Sequence, residues 1–189
     1  MSAILPNTQS VNQSYGVPLE PGTLQLERLL PGPIERVWSY LVEPEKRRKW
    51  FAGGQMEQRN GGYMELQFRH RELSQPGEEV PENYRSTQDM EPAPGKVIRC
   101  TPPTLLVFEW EFCEGMSEVT FELSPEGESV RLVLTHRRLL HKENKVSVAA
   151  GWHTHVGLLM DLLENRELGP FWPEHERLMK EYDERLPEC

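Results

Sequence analysis

Four strand-like segments between residues 96 and 137 are separated by turn-forming residues, and the agreement between the later hairpins limits the possible folds more than any other feature. The segments are 96–100, 105–112, 118–124 and 129–137. The turns fall at Thr101-Pro102-Pro103-Thr104, over 113–116 and at Pro125-Glu126-Gly127-Glu128. Folding the last hairpin sets Leu123 opposite Val130, Phe121 opposite Leu132 and Val119 opposite Leu134. Folding the one before it sets Trp110 opposite Val119, Phe108 opposite Phe121 and Leu106 opposite Leu123. Both registers place the same apolar residues on one face, as a period of two requires when one side of a sheet is buried. Leu105 and Val107 fall on the other face, where they would mark a contact between two copies of the chain.

The flanking sequence completes an α+β fold. Residues 23–30 read as a strand ended by Pro31-Gly32-Pro33. A helix follows with Ile34, Val37, Trp38 and Leu41 at helical spacing, then a short one that runs from Pro44 into Trp50-Phe51. Gly53-Gly54 and Gly61-Gly62 bracket a short strand, and 63–70 read as another through Met64, Leu66 and Phe68. The polar, acidic, proline-rich stretch 71–94 reads as a long loop holding part of a strand near 84–90. From 147 to 165 the period is helical, with Val148, Trp152, Val156, Leu159, Leu162 and Leu163 on one stripe. Gly169-Pro170 ends it, and 171–186 form a charged amphipathic helix. Residues 1–22 have no periodic apolar face and read as a flexible tail, so the chain divides into that tail, a domain over 23–165 and a helical extension over 166–189.

A net charge of −9 argues against nucleic acid and anionic membrane surfaces as partners, because phosphate binding needs clustered cations. The basic run Lys46-Arg47-Arg48-Lys49 reads as a solvated helix face. Cys100, Cys113 and Cys189 form no C-x-x-C pair, so neither a thiolate metal site nor a disulfide framework is expected, and a reducing cytoplasm fits best. Cys100 and Cys113 lie at opposite ends of adjacent strands, roughly 25 Å apart at about 3.3 Å per residue, too far for a bridge. Residues 1–22 contain no Lys or Arg and no apolar run, unlike a secretory signal. No apolar stretch reaches the roughly 20 residues that cross a bilayer.

Three stretches together resemble a known family. They are Arg36-Val37-Trp38-Ser39-Tyr40-Leu41-Val42-Glu43-Pro44 leading to Lys49-Trp50-Phe51; Gly95-Lys96-Val97 through Pro102-Pro103 to Leu105 and Trp110; and Gly151-Trp152-His153-Thr154-His155-Val156 to Leu163. Over 23–165 the chain resembles the START/Bet v 1-like helix-grip superfamily, and within it the family named after the C-terminal domain of the activator of Hsp90 ATPase. The resemblance implies a curved antiparallel sheet wrapped around a long C-terminal helix, with an apolar cavity between them for a small hydrophobic ligand, lipid or polyketide-like, in a stress response. Cyclase chemistry in the same cavity and a co-chaperone-like interaction surface are the alternatives. The stretch 71–94 is more extended than the family pattern. Residues 1–22 lack the tryptophan-containing motif of the Hsp90 co-chaperone's extra domain, so Hsp90 activation does not carry over.

On that fold the residues expected around a ligand are Trp50, Phe108, Trp110, Phe121, Trp152, His155, Val156 and Leu159. His136 and His155 are the inward polar candidates. His153 and His155, two positions apart on a helix, point nearly opposite ways and cannot share a metal ion. No cysteine or serine has a base and an orienting group in its local sequence, and Glu109 and Glu111 alternate with inward Phe108 and Trp110 and so face solvent. The residues therefore favour binding over catalysis, without cofactor or metal.

Overall fold

The computed structural model describes residues 11–112 and 115–187. Within them β1 (Val17–Pro18), β2 (Leu24–Pro31), β3 (Tyr63–Leu66), β4 (Ala93–Thr101), β5 (Leu105–Phe112), β6 (Gly115–Glu126) and β7 (Ser129–Arg137) form one antiparallel sheet in the order β1-β2-β7-β6-β5-β4-β3. Between β2 and β3 lie α1 (Ile34–Val42) and the single turn α2 (Pro44–Arg47). Between β3 and β4 come α3 (His70–Leu73) and a 3-10 turn over Glu82–Thr87. The long helix α4 (Lys142–Leu163) packs on the sheet, and α5 (Trp172–Arg185) packs on α4. This is the expected helix-grip architecture. No helix among the described residues is long and apolar enough to cross a membrane.

The sheet has the apolar face that alternation required, with a different register. Leu123 pairs with Leu132, Phe121 with Leu134 and Val119 with His136, because β6 and β7 run on to Glu126 and Ser129 and turn over Gly127-Glu128 alone. Gly127 takes a φ of 62° there, where a side chain is strained. In the hairpin before it, Trp110 pairs with Ser117, Phe108 with Val119 and Leu106 with Phe121. Both pairings differ from expectation by two residues, and an even slip leaves every side chain on its own face. Leu105 and Val107, on the other face, are half-buried.

Helix α4 is buried on more than one side. Val148, Trp152, Val156 and Leu159 are buried as the stripe predicted, and so are Ala149, Ala150, Thr154 and Leu158. A helix covered by the sheet on one side and α5 on another has no single apolar face, which is why one stripe did not describe it. The basic run also departs from expectation. Arg47 is 2% exposed and donates from Nε to the Ala52 carbonyl at 2.8 Å and from a terminal nitrogen to those of Gly53 at 3.1 Å and Gly54 at 2.7 Å. Its neighbours Lys46 and Arg48 carry the solvated face that was expected of the whole run.

The tail expected over 1–22 is a correction for its described part, residues 11–22; residues 1–10 lie outside the description. Asn12 donates to the Leu29 carbonyl at 2.9 Å and accepts from the Leu29 N–H at 2.7 Å, acting as a one-residue strand partner. The Ser14 carbonyl accepts from buried Arg28 at 2.9 Å, and the Gly16 N–H donates to the Tyr182 hydroxyl at 2.7 Å. Tyr15 packs edge-on against Tyr182 and lies under the Arg185 guanidinium, 3.8 Å from its ring centre. The segment is too polar to show an apolar period, because hydrogen bonds hold it. A chain beginning at Thr23 is expected to lose about 2–3 kcal/mol, from several hydrogen bonds at about 0.5–1.5 kcal/mol each plus the Tyr15 packing. That corresponds to a Tm lower by roughly 5–10 °C at this size. Calorimetry checks it, and a shift below about 2 °C would show the segment to be energetically idle.

Candidate functional site

A cavity of about 380 Å³ opens between the apolar face of the sheet, the middle of α4, the segment before β4 and the start of α5. The sheet contributes Trp110 and His136. Helix α4 contributes Val148, Gly151, Trp152 and His155, positions related by three, four and seven residues and therefore on one face. Phe51 comes from the loop after α2. Phe68, His70, Tyr84, Thr87 and Met90 come from 68–90, and Phe171, Trp172 and His175 from the first turn of α5.

Two local devices place these walls. Arg47 gathers the carbonyls of residues 52–54 and so fixes the chain just after Trp50-Phe51. Glu78, in the stretch 71–94, accepts from the N–H groups of Phe171 at 3.1 Å and Trp172 at 2.8 Å. Its carboxylate thereby satisfies donors that the start of α5 leaves open and complements the helix dipole. The two-residue register difference matters here as well. It brings the His136 ring to 5.3 Å from Trp110, and His136 Nδ1 accepts from the Trp152 indole N–H at 3.0 Å.

The imidazoles around the cavity are neutral at physiological pH. Burial pushes His155 and His136 down to about 3 and His175 to about 4, and burial holds His70 below the usual imidazole range. His155 Nδ1 lies 2.6 Å from the Trp50 carbonyl, and His70 Nδ1 lies 3.1 Å from that of Thr87. Rings pack closely around them: Phe51 on Trp152 at 4.7 Å, His155 on Phe171 at 5.2 Å and Tyr84 on Trp172 at 5.2 Å.

Of the residues expected around a ligand, Trp110, Trp152 and His155 line the cavity, and so does the inward candidate His136. Phe121 and Phe108 form the layer behind, Phe121 packing on Trp152 at 5.6 Å and Phe108 on Trp110 at 5.6 Å. Trp50 is fully buried, donates its indole N–H to the Tyr40 carbonyl at 2.9 Å and reaches the site through its own carbonyl. Val156 and Leu159, both 0% exposed, belong to the solid core. His153 turns away as its spacing required and meets the Tyr182 hydroxyl at 3.0 Å. Glu111 is exposed at the cavity rim. Cys100 is a free thiol, while Cys113 and Cys189 lie outside the described residues. The sequence reading missed Phe51, Gly151, the walls from 68–90 and those from α5, although Phe171 and Trp172, four and three residues ahead of His175, were a usable signal.

The model of the family described as Activator of Hsp90 ATPase homolog 1-like protein matches residues 31–164. The chain belongs to this family. A solved relative is the protein encoded by gene BPP1335 from Bordetella parapertussis, 40% identical over 93% of this chain and 92% of that one, with a TM-score of 0.79. CalU16 from Micromonospora echinospora is 24% identical over 86% and 84% of the two chains with a TM-score of 0.63. The conserved protein EF2215 from Enterococcus faecalis is 16% identical over 94% and 95% with a TM-score of 0.67. The latter two likenesses concern the fold alone. Among curated proteins no relative matches it.

Proposed function

We propose that the chain binds a small, apolar, ring-containing molecule in the cavity between α4 and the sheet. The observation that carries this reading is the cavity itself: about 380 Å³, within the ~300–1,000 Å³ range of small-molecule sites, walled by aromatic rings and holding a few convergent polar groups. At interior packing density of about 0.74 it admits roughly 280 Å³ of ligand, the size of a small polycyclic compound. Catalysis by the cavity imidazoles is the weaker reading. An acid–base catalyst works best with a pKa near the operating pH, and imidazoles held at about 3 to 4 are feeble bases and almost never protonated there. The family name alone gives no reason to assign Hsp90 activation, since function resides in sites and not in folds.

N-phenyl-1-naphthylamine, neutral and fluorescent, is expected to saturate the protein at one equivalent and to quench tryptophan emission, because Trp110, Trp152 and Trp172 all line the cavity. Linear, unsaturable partitioning of the dye with unchanged tryptophan emission would remove the reading.

A further inference from the structure

Two imidazoles of the cavity need a donor, while the buried indole N–H of Trp172 has no partner among the described residues and needs an acceptor, and a ligand hydroxyl can serve both. A carbonyl oxygen can only accept, so the Nδ1 atoms of His155 and His70, at 2.6 Å and 3.1 Å from the carbonyls of Trp50 and Thr87, must carry the protons. A neutral imidazole with its proton on Nδ1 presents a bare lone pair at Nε2. Thr87 adds to the pattern, because its hydroxyl donates to the Tyr84 carbonyl at 3.2 Å and keeps lone pairs to offer. The two imidazoles sit 6.0 Å apart, both on the cavity wall. Charge narrows the choice further. No Lys or Arg lines the cavity among the described residues, and the acidic group there is Glu111 at the exposed rim. A buried carboxylate or phosphate would find no cation, and a buried charge without a partner is strongly disfavoured.

We propose that the ligand is an uncharged ring compound bearing a hydroxyl hydrogen-bond donor, a phenol or enol, whose proton is received at Nε2 of His155 or His70. This inference rests on the reading that the cavity holds an apolar ligand, and it names the chemistry that the site selects. Fatty acids and other anionic amphiphiles are rejected for want of a cation. Hydrocarbons and ethers of the same shape enter but leave the imidazole lone pairs dehydrated and unpaired, which costs more than a hydrogen bond gains.

The test uses the 189-residue protein with four matched probes at neutral pH, namely 2-naphthol, 2-methoxynaphthalene, 2-naphthoate and 2-(aminomethyl)naphthalene, read by tryptophan quenching. The naphthol is expected to bind about tenfold more tightly than its methyl ether, with the two charged probes weaker than both. In His155→Leu or in His70→Leu the ratio of naphthol to ether affinity should fall toward one, whatever change the substitution makes to both probes alike. Nitrogen-15 NMR of the wild-type histidines supplies a readout that needs no variant. The Nε2 resonances of His155 and His70 should be those of bare nitrogens, and at least one of them should shift on adding the naphthol but not the ether. Equal binding of naphthol and ether, tighter binding of either charged probe, or a proton found on Nε2 of both His155 and His70 overturns this inference and leaves apolar binding standing. Failure of every neutral probe to bind overturns the functional reading itself.

Discussion

Gly151→Leu is expected to weaken binding of apolar probes by roughly 5- to 150-fold, while leaving the protein as stable as before or slightly more so. Gly151 lines the cavity from the middle of α4, and a Cβ added there meets no atom within 4 Å. A leucine side chain therefore grows into the space a ligand would occupy. A ligand forced against it suffers the overpacking penalty of about 1–3 kcal/mol, which converts to a roughly 5- to 150-fold loss. The helix gains meanwhile, since an interior glycine is about 0.8–1.0 kcal/mol less favourable than good helix formers. Val156, on the same helix but 0% exposed in solid core, is the contrasting position, where added volume strains the fold. Dye titration and a thermal melt of the same sample decide the matter. Undiminished dye binding by Gly151→Leu would place the ligand elsewhere.

Arg47→Ala is expected to destabilise the protein by roughly 3–5 kcal/mol. Two effects compete. Removing the guanidinium relieves a buried charge, whose burial lowers its pKa to about 10 and which has no carboxylate partner among the described residues. It also leaves the carbonyls of Ala52, Gly53 and Gly54 without their donors, at about 1–3 kcal/mol for each that stays dry. The second effect wins because the loop cannot turn those carbonyls outward freely. Gly54 sits at a φ of +93°, and a Cβ there would lie 2.4 Å from the Glu65 carbonyl oxygen, so the chain is held tightly against β3. Arg47→Met, which keeps the stem without the donors, should cost nearly as much. Urea unfolding gives the free energy, and a loss below about 1 kcal/mol would mean that the loop re-solvates at little cost. Because Phe51 and the Trp50 carbonyl hang from the same loop, dye affinity should fall along with stability.

The sheet and α4 could be read from the sequence because each obeys a period that burial enforces over many residues. Leu106, Phe108 and Trp110 sit two positions apart on one face, and Val148, Trp152, Val156 and Leu159 recur every three or four positions. That periodicity located Trp110, Trp152 and His155 at the cavity and also selected Val156 and Leu159, because a period marks a buried face and does not distinguish a solid core from a cavity wall. The other half of the cavity left no such trace. His70, Tyr84, Thr87 and Met90 lie in a stretch whose short turns bury isolated side chains, and Phe171, Trp172 and His175 depend on Glu78 nearly a hundred residues earlier. Arg47 and Asn12 were misread for a related reason: their partners are main-chain atoms, and hydrogen bonds to the backbone leave no pattern in the side chains of the partner residues.

The register of the two central hairpins separates what folding must specify from what the cavity must specify. Only odd or even matters to the core, since moving β7 along β6 by two residues keeps Phe121, Leu123, Leu132 and Leu134 on the buried side. The cavity is less tolerant. The same displacement carries His136 about 6.8 Å along the sheet, well beyond reach of the Trp152 indole that it now meets at 3.0 Å. Parity at the Gly127-Glu128 turn decides which face is buried, while the exact register decides whether His136 meets Trp152. A change of two residues in the length of that turn keeps the parity of the sheet faces, so any slip that it allows would be felt at the His136–Trp152 contact and not in which face each side chain occupies.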